Sequence, residues 1–181
     1  MQRVFIGIPV DQQAQSEINE LLDPLKSTIH AVRWVPEQNR HLTLAFLGDR
    51  PAAVIEKLTR SMDRAYQQET AFETGSSSLS RFPNSSGNII ALVFMSDERL
   101  SRIYRVTQEF LVANGFAFSR TQFRPHITLG RTGRSPRLNT DINQETKISL
   151  QVGKITFYQS TLTQSGSVYL ALKEKMLNKS E

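Results

Sequence analysis

Two short stretches of this chain carry the same residue types in the same order: His41-Leu42-Thr43-Leu44 and His126-Ile127-Thr128-Leu129. They hold two of the three histidines, separated by close to half of the 181 residues. Side chains alternate along a strand, so each histidine shares a face with the threonine two positions on, while the aliphatic residues point the other way. Two such strands brought together would hold two imidazoles and two hydroxyls over one pocket. That set suits phosphodiester cleavage. A neutral imidazole takes a proton from the attacking water, a protonated one gives a proton to the departing sugar oxygen, and the hydroxyls donate to the non-bridging oxygens. A histidine pKa near 6.5 allows one ring to be neutral and the other charged around neutrality. Two other readings stay open: half-buried strand histidines beside threonines that merely favour β structure, and a zinc site without its usual third histidine.

Composition narrows the chemistry further. The absence of cysteine excludes disulfides, thiolate nucleophiles and Cys-ligated zinc or iron–sulfur centres. Hydrophobic residues make up 39% and charged residues 22%, the balance of a soluble globular domain. Lys plus Arg number 22 against 17 Asp plus Glu, and the resulting +5 suits an anionic ligand such as nucleic acid. The opening run Arg3–Val10 is apolar but short, broken by Pro9 and followed by polar residues, unlike a signal peptide. No run approaches the roughly 18 apolar residues of a membrane span, so a cytoplasmic location without membrane contact is expected.

The periodicities place both motifs on strands. Residues 3–10 read as a strand, and Asp11 caps a helix with Ala14, Ile18, Leu21, Leu22 and Leu25 on one face, which Pro24 should stop near Leu22 or Asp23. Strands are expected at 31–35 and 41–47, the second ended by Gly48-Asp49. A helix follows from Pro51 to about Glu69, then a strand at 72–79, the turn Pro83–Gly87 and a hairpin partner at 88–94. Asp97 caps a third helix, and Gly115 sits at its C-terminal cap. Strands at 123–131, 148–158 and 167–173 and a loop near 133–140 complete an α+β layout, mostly antiparallel, with helices covering one side. The recurrence of Arg40–Leu44 as Pro125–Leu129 points to an internal duplication, with each copy on a strand that follows a helix.

The segments His41-Leu42-Thr43-Leu44-Ala45-Phe46-Leu47-Gly48 and Phe123-Arg124-Pro125-His126-Ile127-Thr128-Leu129-Gly130-Arg131, with the opening Arg3–Pro9 strand, resemble the two-histidine phosphoesterase superfamily, specifically its LigT-like RNA 2′,3′-cyclic phosphodiesterases, also called 2′-5′ RNA ligases. The resemblance implies a bilobal fold of two mostly antiparallel sheets related by a pseudo-twofold, with helices outside and the active site in the central cleft. It implies His41 as proton donor, His126 as proton acceptor, Thr43 and Thr128 on the phosphate, and an RNA with a 2′-phosphate as product, without metal or cofactor. The substrate would be RNA with a 2′,3′-cyclic phosphate end, or a cyclic nucleotide, taken by a monomer of one bilobal domain over 1–181. Two alternatives are kept: joining of tRNA halves by the reverse step, and a non-catalytic RNA- or nucleotide-binding module.

Arg131 matches an arginine of that family, as a phosphate contact. Strict alternation would point it away from the groove, so the role requires a bulge or bend at Gly130. Trp34 and Phe46 are candidates for stacking a base, against the plainer reading of core aromatics. Arg124, Arg134 and Arg137 can line an RNA path or form a solvated basic loop. His30 lacks a threonine partner and reads as structural or exposed.

Overall fold

The computed structural model describes residues 1–119, 121–133, 142–164 and 166–179. Arg134, Arg137 and most of the expected 133–140 loop lie outside the described residues. The chain runs β1 (Gln2–Pro9), α1 (Gln12–Thr28), β2 (Val32–Trp34), β3 (His41–Arg50), α2 (Ala52–Ala65), β4 (Phe72–Phe82), β5 (Ile89–Phe94), α3 (Glu98–Ala113) and β6 (His126–Thr132). It continues through β7 (Gln144–Glu145), β8 (Ser149–Val152), β9 (Lys154–Thr163) and β10 (Gly166–Met176).

The strands form one sheet in the order β10-β9-β1-β3-β6-β5-β4-β7, with β2 also on β6 and β8 on β4. Every ladder between these strands is antiparallel. Exchanging β3 for β6, β1 for β5 and β9 for β4 maps one half of the order onto the other. The two sheets implied by the resemblance are therefore halves of a single sheet, joined at the β3–β6 seam through the pair Leu42 and Ile127.

Helices lie on one face of this sheet because the motif strands put their aliphatic residues there. Leu42, Leu44, Ile127 and Leu129 are buried in one cluster with Ile18 and Leu22 of α1, Leu58 and Met62 of α2, and Leu100, Ile103 and Leu111 of α3. Burying each such side chain contributes about 1.5–3 kcal/mol, so the alternation that turns the aliphatics inward also fixes the histidines outward.

The caps behave as the sequence requires. Asp11 Oδ1 accepts from the Ala14 N–H at 3.1 Å and Asp97 Oδ1 from the Leu100 N–H at 2.8 Å. Gly115 follows α3 with φ of 90°. The strand expected at 148–158 is in fact two, β8 on β4 and β9 on β1, parted at Gly153, the strand expected from 123 begins at His126, and three further boundaries differ for local reasons. Helix α1 continues through Pro24 to Thr28, because Pro24 and the Glu20 carbonyl it leaves without a donor are on exposed residues while Leu25 and the buried Ile29 pack on the core beyond. Helix α2 stops at Ala65, where the buried Tyr66 leaves helical geometry (φ −107°, ψ 20°) and packs its ring inward. Strand β3 runs on to Arg50 because Gly48 (φ 73°) absorbs an irregularity in the ladder to β1 instead of ending the strand. Among the described residues no helix is long and apolar enough to cross a membrane.

Candidate active site

The pair Leu42–Ile127 sets the geometry of the site. Continuing that antiparallel register by one residue each way puts His41 beside Thr128 and Thr43 beside His126, all on the face away from the helices. Directly opposed Cβ atoms on such a face lie about 5 Å apart and diagonal ones about 7–8 Å, so the histidines are diagonal neighbours across the seam. Their proximity is also electrostatic: charge on His126 disfavours charge on His41.

Each ring is held in the same way. His41 Nδ1 donates to the Asn39 carbonyl and His126 Nδ1 to the Arg124 carbonyl, both at 2.8 Å and both two residues back. A carbonyl only accepts, so Nδ1 carries hydrogen and Nε2 is the nitrogen left for chemistry on both rings. Upstream, the buried Arg40 donates through Nη1 to Gln15 Oε1 at 2.9 Å and Asn19 Oδ1 at 2.8 Å, and Asn39 Nδ2 donates to the Ser167 carbonyl at 2.7 Å. The approach to His41 is thus fastened to α1 on one side and β10 on the other.

The rings differ in their neighbours. His41 rests on Phe5 (centroids 4.6 Å apart) and meets Tyr169 edge-on at 5.2 Å, with Tyr158 stacked on Phe5 at 4.8 Å and 6.0 Å from the His41 ring. His126 stacks on Phe82 at 3.9 Å, while the Arg124 guanidinium lies 4.6 Å from the Phe82 ring and donates to the Pro83 carbonyl at 2.7 Å. Burial pushes both histidines below their ordinary pKa, and the backbone acceptors only partly offset this. The charges of Arg124 and Arg131 push His126 in the same direction.

Five residues after each histidine, Phe46 and Arg131 reach the histidine face. In the β1–β3 ladder Leu44 is the extra residue between partners, and in the β5–β6 ladder it is Leu129; each is the third residue after its histidine. One added residue shifts the alternation by one. The bend required of Gly130 thus falls at the Leu129–Gly130 step, and Arg131 lines a cavity of 360 Å³ together with His41, Thr43, Thr128, Trp34 and Phe46. Gly130 serves β2 as well. A Cβ there would stand 2.6 Å from Val32 Cγ1 and 3.0 Å from Trp34 Cε3, so only glycine lets β2 close on β6 and bring Trp34 to the cavity.

His126 opens instead on an adjoining hollow of 780 Å³, which shares Thr43 and Phe46 with the first and contains Arg124. The structure therefore gathers both motifs, Phe46, Trp34 and Arg131 around one cleft and its wall, with Arg124 on the far side of His126. His30 is exposed beyond α1 and takes no part. Among the described residues no three His, Asp or Glu side chains cluster as a metal site requires. Sequence reasoning missed Phe5, Phe82, Tyr158 and Tyr169 as ring partners and Arg40 as an anchor. They come from β1, β4, β9, β10 and the turn before β3, and only tertiary pairing reveals them.

The comparisons agree with this geometry. Residues 8–90 match the model of the LigT-like phosphoesterase family. The chain is 30% identical over 177 residues to a Thermotoga maritima RNA 2′,3′-cyclic phosphodiesterase, covering 95% of this chain and 94% of that protein. It is 28% identical over 178 residues to the Methanothermobacter thermautotrophicus protein of the same name, covering 92% and 94%. The crystal structure of Escherichia coli LigT complexed with 3′-AMP shares the fold at a TM-score of 0.78 and 24% identity, over 97% of this chain and 98% of that one. Likeness sustained over nearly the full length, through both histidine strands, shows that the chain belongs to the LigT-like RNA 2′,3′-cyclic phosphodiesterases of the two-histidine phosphoesterase superfamily.

Proposed function

We propose that this enzyme hydrolyses the 2′,3′-cyclic phosphate at RNA ends to a 2′-phosphomonoester, with His41 as general acid and His126 as general base. The observation that carries this is the seam register, which makes the two histidines diagonal neighbours across β3 and β6, each with its Nδ1 tied to backbone and its Nε2 left for substrate. Water on the His126 side loses a proton to Nε2 as its oxygen bonds to phosphorus. The P–O3′ bond breaks, and His41 Nε2–H gives its proton to O3′. Thr43 and Thr128 donate to the non-bridging oxygens, and Arg131 holds their charge. Burial disfavours charge on both rings, and the charges of Arg124 and Arg131 add to this at His126, which suits the ring that must start neutral to accept a proton; the acid role of His41 rests on the family resemblance. Trp34 and Phe46 present aromatic surface for the base. We propose further that the chain works as a cytoplasmic monomer, one bilobal unit over 1–181 with one histidine–threonine pair from each half.

The test is turnover of an RNA ending in a 2′,3′-cyclic phosphate with chelator in excess. His41→Ala and His126→Ala are each expected to lower kcat by about 10²–10⁴ without unfolding the protein. Loss of wild-type activity in chelator would contradict the metal-free scheme. The hollow beside His126 favours a second reading on the same chemistry. It has room for a nucleoside whose 5′-hydroxyl replaces water, so the step can run as ligation, tested by joining of RNA halves that bear a cyclic phosphate and a 5′-hydroxyl.

A further inference from the structure

Arg33 has no role in the steps above, yet its position is specific. It is the middle residue of β2 and the direct ladder partner of Arg131, and both side chains line the cavity that contains His41. Like charges opposed across a sheet destabilise it. Among the described residues neither guanidinium has an ion-pair or hydrogen-bond partner, and no carboxylate lines the cavity. The backbone pairing that opposes them is held in place, because Val32 and Trp34 seat β2 against Gly130 on either side of Arg33. Two opposed and unneutralised cations at one rim call for negative charge.

We propose that Arg33 is a second phosphate contact, binding the phosphodiester on the 5′ side of the terminal nucleotide while Arg131 takes the terminal phosphate. This rests on the reaction proposed above, and the chemistry of that reaction gives the direction of the strand. O3′ departs toward His41, and C4′ and C5′ are bonded beyond C3′, so the rest of the RNA leaves on the His41 side. That is the cavity Arg33 shares, not the hollow at His126. Opposed residues on one sheet face stand about 5 Å apart at Cβ, and two long arginine side chains can spread from there to successive phosphates of one strand. The enzyme would thereby prefer a strand end over a mononucleotide. Trp34, next to Arg33 on the same strand, would face the base between the two phosphates.

The experiment compares binding of a dinucleotide ending in a 2′-phosphate with binding of the matching nucleoside 2′-monophosphate, for wild type and Arg33→Gln. Wild type is expected to bind the dinucleotide about tenfold more tightly than the mononucleotide. Arg33→Gln should erase that advantage and leave mononucleotide affinity unchanged. It should also make the dependence of log affinity on log salt shallower by about 0.7 for the dinucleotide. Equal affinity of the wild type for the two ligands, or an equal loss for both in Arg33→Gln, overturns the proposal. Failure of the same protein to open cyclic ends would count against the proposed reaction alone, because the binding comparison stands without turnover.

Discussion

Two imidazoles with the same backbone anchor have been given different surroundings, and the difference is measurable by titration. Both rings are lowered by burial; charge on His126 further disfavours charge on His41, and the charges of Arg124 and Arg131 further disfavour charge on His126. The free enzyme is therefore expected to show a bell-shaped profile of kcat/KM with its optimum below about pH 6.5. A bound phosphate anion favours imidazolium on both rings, so the kcat profile should lie at higher pH than that of kcat/KM. Coincident profiles would mean that the anion does not sit between the rings. Phe82 is specific to His126: replacing it with Leu removes the ring stacked at 3.9 Å, readmits water and should move the His126 titration back up toward 6.5, with His41 little changed, as read by NMR of the ring protons. The two His-x-Thr pairs that meet at the seam were legible in the sequence because matched pairs of this kind are rare. Their ring partners were not, since Phe5, Phe82, Tyr158 and Tyr169 look like ordinary strand aromatics until β1, β4, β9 and β10 are paired.

At the level of elements, the two bulges matter more than the strands themselves. The alternation read from the sequence correctly put the histidines opposite the aliphatic core, but alone it would have turned Phe46 and Arg131 toward the helices. An extra residue at Leu44 and at Leu129 reverses that, and only the glycine at 130 hinted at it. Gly130→Ala is expected to push Val32 and Trp34 off β6 and to cost about 1–3 kcal/mol of stability, read from the denaturation midpoint. The same variant should bind phosphate more weakly, because β2 and Arg131 share that ladder. Unchanged stability would mean that β2 does not depend on the missing Cβ. Pro24 misled the reading of α1 for a related reason: the penalty for proline within a helix falls where the freed carbonyl can be solvated, and packing of Leu25 and Ile29 outweighs it.

For the whole molecule, the duplication predicted two related lobes and the family resemblance two sheets, and the sequence could not show that the sheets fuse at a single ladder pair. That seam is what lets one residue register bring His41, Thr43, His126 and Thr128 together. It also links catalysis to stability. Each histidine binds its proton less readily in the folded chain than in the unfolded one, where it titrates near 6.5, so in the window below 6.5 the unfolded state holds more protons. Stability should be intact above about 6.5 and fall as pH drops through the lowered folded values, and a His41→Gln, His126→Gln double variant should flatten that fall in urea titrations. The most direct test of the account is a double-mutant cycle on turnover of RNA ending in a 2′,3′-cyclic phosphate, with His41→Ala, His126→Ala and both together. If the two rings act on one phosphate as a unit, the double variant is expected to be about as slow as the slower single one. Losses that multiply independently, or a single variant that keeps most of the wild-type rate, would contradict it.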